Sequence, residues 1–100
     1  MNSLMSFTPL KNEVAAESHH SSTLGTGALT LSLPLSASGI LMQALAQNIR
    51  YTLDGTTPAA ASGFQLKAGD PPIYIQFTKG MVLTFFRETS GAILEYEYSA

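Results

Sequence analysis

Few residues of this 100-residue chain have a type and spacing that could do chemistry. The adjacent His19 and His20 are the first metal-ligand candidates. Neighbouring side chains on an extended chain point to opposite sides. The chain has no cysteine, and no carboxylate cluster stands beside the two histidines to complete a coordination sphere. They read as polarity in an extended segment. Glu95 and Glu97 lie two apart and share one face of a strand, as an acid–base pair would. Nothing adjacent in sequence would raise either pKa, so a solvated outer face is expected. Asp54, with Thr56 and Thr57 beside it, offers too few oxygens for calcium. Gly25-Thr26-Gly27 is followed by no Lys-Ser/Thr pair and is not a phosphate loop. The serines sit in no Gly-x-Ser-x-Gly elbow. The expectation is a chain with no catalytic residue, no metal and no cofactor. The aromatics from Tyr51 to Tyr98 could form a stacking platform for a sugar or a base. Most of them alternate with other residues among aliphatics, which is the pattern of core packing.

Composition narrows the class. Only 12% of residues are charged, about half the ~25% of ordinary soluble domains. A charged surface keeps a free monomer soluble, so a chain this poor in charge is expected to cover part of its surface with partners. One hundred residues make one domain at most, and with an N-terminal arm set aside only about 70–75 residues remain for a core, a marginal size for a domain on its own. No disulfide can help, so oligomerisation is the expected remedy. The net charge is −2, and Lys11, Arg50, Lys67, Lys79 and Arg87 are scattered, which argues against nucleic acid as the main partner. No apolar run is long enough for a membrane-spanning helix, and the N-terminus shows no basic-then-apolar signal pattern.

The elements that must position these residues are strands. The chain is organised around Ile49-Arg50-Tyr51-Thr52-Leu53-Asp54-Gly55-Thr56-Thr57-Pro58. Ile49, Tyr51 and Leu53 alternate with Arg50 and Thr52, the period of a half-buried strand. Asp54 and Gly55 then break it, because Gly tolerates positive φ and Asp bonds back to nearby backbone. Pro58 cannot donate to a ladder, so pairing should stop before it. These three residues are expected to form a structural turn.

Residues 1–27 show no period of 2 or 3.6 and read as an extended N-terminal arm. Its apolar residues Leu4, Met5, Phe7 and Leu10 are candidate assembly contacts, and a short helix over 11–17 capped by Asn12 is allowed. Residues 28–100 read as the domain. Leu29, Leu31, Leu33 and Leu35 alternate with polar residues up to Pro34, which sets an edge or a bend. Residues 40–47 fit a buried strand, the favoured reading, and also a helical stripe. The link Ala46-Gln47-Asn48 resembles a hairpin connection. Residues 59–62 form a small-residue loop, 63–66 a short strand and 68–72 a turn. Ile73, Ile75 and Phe77 alternate with polar residues. Residues 81–88 are apolar on both faces, so this strand should be central or at an interface. Leu94, Tyr96 and Tyr98 alternate with Glu95 and Glu97 near the end. About seven antiparallel strands with close-spaced turns predict an all-β sandwich or barrel.

Two resemblances attach to these residues. Tyr51-Thr52-Leu53-Asp54-Gly55-Thr56-Thr57-Pro58 resembles the Tyr-Thr-x-Asp-Gly-Ser/Thr-x-Pro turn of small immunoglobulin-like modules appended to chitobiases and other bacterial glycosidases. That resemblance implies a non-catalytic carbohydrate-binding or spacer module. The second covers residues 38–78. Ile40-Leu41-Met42-Gln43, the run from Ile49 to Gly55, Pro58, Gly63-Phe64 and Ala68-Gly69-Asp70 look like short proteins of tailed-bacteriophage structural gene clusters. Ala59-Ala60 stands where that pattern usually has Thr-Ala. The resemblance implies a virion component assembled in the bacterial host cytoplasm. Capsid decoration or cement on the major capsid protein is the leading expectation, and a head–tail connector or tail component is the alternative. It further implies a homo-oligomer, expected as a trimer. A chain that starts at its own Met1 without signal or linker is expected to be a complete small protein, which counts against the secreted-enzyme module.

Overall fold

A computed structural model describes residues 19–100 of the chain. Leu4, Met5, Phe7, Leu10 and the helix considered over 11–17 lie outside the described residues. Among those described there is no helix. Eight strands follow one another: β1 (His20–Thr23), β2 (Leu29–Thr30), β3 (Gly39–Leu45), β4 (Ile49–Thr52), β5 (Phe64–Leu66), β6 (Ile73–Gln76), β7 (Thr84–Arg87) and β8 (Ile93–Ser99). They form two four-stranded antiparallel sheets, one in the order β1-β8-β3-β6 and the other β2-β7-β4-β5. The expected all-β sandwich is the observed fold.

The core lies between the sheets. Alternation along β3 sends Ile40, Met42 and Ala44 inward, and β8 contributes Leu94, Tyr96 and Tyr98. The facing sheet supplies Ile49, Tyr51, Leu66 and Phe85, with Leu83 just ahead of β7. Phe85, Ile40, Ile49, Leu83 and Leu94 are completely sealed. Burying a side chain of this size contributes about 1.5–3 kcal/mol relative to leaving it in water. The alternation therefore fixes which face of each strand turns inward. Residues 40–47 resolve as the strand reading, because β3 lies between β8 and β6 and its inward residues meet the core. The strand expected over 81–88 is central but shorter: β7 covers only Thr84–Arg87 and is flanked by β2 and β4, while Val82 makes a separate bridge to Asp54.

Three expectations are corrected. The arm does not reach residue 27, because His20–Thr23 pairs with β8 in register His20↔Tyr96 through Thr23↔Ile93, and Leu24 is buried. This added strand makes the count eight instead of about seven. A short polar strand has no apolar alternation to reveal it; its partner, remote in sequence, supplies the ladder. The strand expected through Leu35 ends at Thr30. Leu31 N–H still donates to the Leu83 carbonyl (3.0 Å), but the chain then leaves the sheet, turns at Pro34 with Ala37 N–H on the Pro34 carbonyl (3.1 Å), and leaves Leu35 fully exposed. Finally, Ala46-Gln47-Asn48 is no hairpin. β3 and β4 belong to different sheets, and the link is a tight crossover with Gln47 N–H on the Leu45 carbonyl (2.8 Å) and Ala46 at φ 69°. An i→i+2 turn of this kind is strained for a residue with a Cβ.

Candidate functional site

The turn singled out from sequence is assembled as its residue types dictate. Asp54 Oδ1 accepts the backbone N–H of Thr56 at 3.0 Å, the expected Asx turn. Gly55 takes φ 87°, and its N–H donates to the Val82 carbonyl (3.2 Å) while Val82 N–H donates to Leu53 (3.0 Å). The Thr52 hydroxyl donates to the Thr56 carbonyl. The Thr56 backbone N–H, then its hydroxyl, hold the Asp54 carboxyl below its usual range. Pro58 is fully buried and takes no part in a ladder. Gly63 closes the loop at φ 110°, where an added Cβ would sit 3.0 Å from the Tyr51 carbonyl and 3.1 Å from Pro58 Cβ. Sequence reading left Gly63 as an ordinary strand residue; only the close approach of Pro58 reveals its role.

Beside this turn lies a shallow concavity of about 360 Å³ lined by Thr52, Leu53, Asp54, Thr56, Ser62, Gly63 and Phe64. Phe64 is 61% exposed, its ring centroid 5.5 Å from that of Tyr51. Of the aromatics expected in the core, Tyr51, Phe85, Tyr96 and Tyr98 are buried, whereas Phe64 and Tyr74 are exposed.

A second group forms on the outer face of the first sheet. β1 sends His20 inward, stacked on Tyr96 with centroids 4.8 Å apart. His19 and Ser21 take the outer side. The two histidines therefore point apart, but neither is merely polarity on an arm. His19 Nε2 is 2.5 Å from Glu95 Oε1 and its Nδ1 is 3.0 Å from Glu97 Oε1. The Ser21 hydroxyl donates to the other oxygen of Glu95. The outer face expected to be merely solvated thus carries a bridged cluster. The Glu95 hydrogen bond is the main cause that raises the His19 pKa above 6.5, with burial opposing it and Glu97 adding to it. The Ser21 hydroxyl, then His19, lower Glu95. Next to the cluster is a mostly apolar cavity of about 80 Å³ walled by Leu41, Met42, Gln43 and Pro72. The two carboxylates engage opposite edges of the imidazole and do not converge on one point. Among the described residues no three His, Cys, Asp or Glu side chains are arranged to hold a metal ion.

The facing sheet has its own network. Glu88 Oε2 accepts Arg50 Nε (2.5 Å) and Gln65 Nε2 (2.7 Å). Arg50 also donates to the Gly63 carbonyl (3.1 Å), and Asn48 Oδ1 accepts the backbone N–H of Ala68 (2.8 Å). These bonds tie β4, β5 and the end of β7 into one unit.

The fold and these sites define a two-sheet antiparallel β-sandwich with polar clusters on both outer faces. No family model matches the chain, and comparison with curated proteins and with solved structures gives no match.

Proposed function

We propose that this chain is a structural protein of a tailed-bacteriophage virion that decorates the major capsid lattice, working as a homo-oligomer for which a trimer is the first candidate. The observation that carries the reading is a charge-poor surface bearing exposed apolar side chains. Leu35, Phe64, Ile73, Tyr74 and Val82 stand at or above one-third exposure in a chain with 12% charged residues. Surfaces of this kind are normally covered in use. The residues that resemble phage structural proteins build β3, β4, β5 and the turn between them. That segment is scaffold, which supports a binding role rather than chemistry. The protein would be assembled into the virion in the host cytoplasm.

The test is a mass-spectrometric inventory of purified virions from the source phage, joined to light scattering of the isolated protein and sedimentation with empty capsids. The expected result is a virion-resident oligomer that co-sediments with capsids. Virions that contain the protein only in detached tails would move it to the head–tail or tail alternative. A monomer at micromolar concentration, absent from virions, would end the reading.

One observation favours a carbohydrate-binding module instead: the exposed Phe64 ring shares its concavity with the Asp54 carboxylate and the Thr56 and Ser62 side chains. Aromatic faces and hydroxyl-matched acceptors suit sugars. Titration with soluble oligosaccharides, read at the Phe64 ring by NMR, would shift those resonances under this reading and leave them still under the virion one.

A further inference from the structure

His19 stands at the start of the described chain, where β1 joins β8. Its ring is bracketed by two carboxylates contributed by one strand. Nε2 faces Glu95 Oε1 at 2.5 Å and Nδ1 faces Glu97 Oε1 at 3.0 Å. A carboxylate only accepts hydrogen bonds, and a neutral imidazole has a single N–H to give. Satisfying both contacts at once therefore takes an imidazolium, or a proton on one of the glutamates. Glu95 is poorly suited to carry that proton. Its second oxygen accepts the Ser21 hydroxyl, and that bond together with His19 favours its ionised form. Both carboxylates, Glu97 as well as Glu95, favour the charged ring, so the proton is assigned to the imidazole.

We propose that His19 is a proton-operated latch: its doubly protonated ring ties the N-terminal end of β1 to Glu95 and Glu97 of β8, and loss of one ring proton to solvent releases that end. Release follows from the same inventory of donors. With one N–H gone, a nitrogen lone pair faces a carboxylate oxygen at hydrogen-bond distance, and the contact turns from attractive to repulsive. Among the described residues the surroundings offer no substitute cation. β8 presents Glu95 and Glu97, β1 presents Ser21, and β3 and the segment before β6 present Leu41, Gln43 and Pro72. Asp70 stands in the loop between β5 and β6, where its backbone carbonyl accepts the Gln43 amide (3.1 Å). His20 lies on the other side of the strand against Tyr96.

β1 is suited to be the moving part. Among the described residues it is an edge strand of four residues, joined only to β8, and its outward side chains are Ser21 and Thr23. The remainder of the first sheet is held by the seven-residue pairing of β3 with β8. Opening the first end of β1 would remove the His19 wall of the cavity beside Leu41 and Pro72 and widen it.

The experiment uses the full chain. NMR titration of the His19 ring is recorded for the wild type and for Glu95→Gln and Glu97→Gln. Amide exchange of Ser22, whose N–H lies on the β8 side of the strand, is compared between wild type and His19→Gln at about pH 5.5 and about pH 8.5, on either side of the histidine range. Comparing two proteins at one pH cancels the intrinsic pH dependence of exchange. The expected result is a His19 midpoint above the ~6.5 of free histidine, lowered by each glutamine variant. Wild-type β1 should exchange severalfold more slowly than His19→Gln at the lower pH and no more slowly at the higher. A midpoint at or below the free value, or a wild-type to variant ratio that is the same at both pH values, would overturn the latch.

Discussion

The two outer faces of the sandwich solve one problem with different cations. On each, a carboxylate gathers neighbouring polar groups and holds an edge strand to the sheet. Glu88 joins β5 to β4 through Gln65 and Arg50. Glu95 joins β1 to β8 through Ser21 and His19. Arginine and histidine are different cations: a guanidinium is charged across the working pH range of proteins, whereas an imidazole loses its charge near neutrality. The difference in shelter lies in the cation: Arg50 and Glu88 side chains are 23% and 18% exposed, against 47% for His19, 22% for Glu95 and 42% for Glu97. The comparison teaches that equal geometry need not mean equal persistence. One clamp is permanent from mildly acidic pH upward, and the other has a window.

The largest effect should erase the difference altogether. Phe85 is sealed between the sheets, and Phe85→Ala should cost about 3–5 kcal/mol. Both faces rest on that core, so urea unfolding followed by probes on either sheet should shift together. Separate transitions would mean the two clamps stabilise separate units.

A middle-sized effect should fall on the Glu88 side. Gly63→Val places a Cβ against the Tyr51 carbonyl at φ 110° and should cost about 2 kcal/mol or more. It should also displace Arg50 from the Gly63 carbonyl. Gly55→Val, at φ 87° with Val82 at ordinary contact distance, should cost less, about 1–2 kcal/mol. An unchanged unfolding midpoint in Gly55→Val would contradict the turn's structural role.

Glu88→Gln should cost about 1 kcal/mol, since solvent screens the pair in part. Gln65, then Arg50, hold the Glu88 carboxyl below its ordinary 4.5. A depressed acid stabilises the fold above its unfolded value and loses that contribution as pH falls through the folded one. The difference between wild type and Glu88→Gln should therefore be flat from neutral to alkaline pH and shrink only in acid. A dependence near neutrality would contradict the permanent clamp.

The smallest effect, local to β1, belongs to His19 and Glu95. Glu95 is lowered, so its contribution disappears toward acid; His19 is raised, so its contribution is full below 6.5 and disappears as pH rises through the folded value. The double variant Glu95→Gln/Glu97→Gln should leave the main unfolding midpoint nearly unchanged while loosening β1, read by amide exchange. A global loss as large as that of Glu88→Gln would show that the two faces are not different in kind.

Much of the fold was written locally. Leu94, Tyr96 and Tyr98 alternate with Glu95 and Glu97, and β8 obeys that pattern from Ile93 to Tyr98. The Asp54-Gly55 turn was legible because its hydrogen bond spans two residues and its φ requires glycine. In both cases the determining interaction lies within a few residues of its cause. The period of a strand says which face is buried and nothing about which strand it joins. Consecutive strands here pass from one sheet to the other at every step except β4 to β5, so the expected hairpin at Ala46-Gln47-Asn48 became a crossover. The same limit hid β1, whose four residues carry no apolar alternation and gain order from β8. It hid the clamp as well, because His19 meets Glu95 and Glu97 across 76 and 78 residues of chain. The sequence by itself determined the strands, their inward faces and the turn, since these depend on side-chain period and local backbone chemistry. The tertiary structure alone decided sheet membership, the need for glycine at Gly63 and the cation facing each carboxylate, because each depends on where distant segments pack.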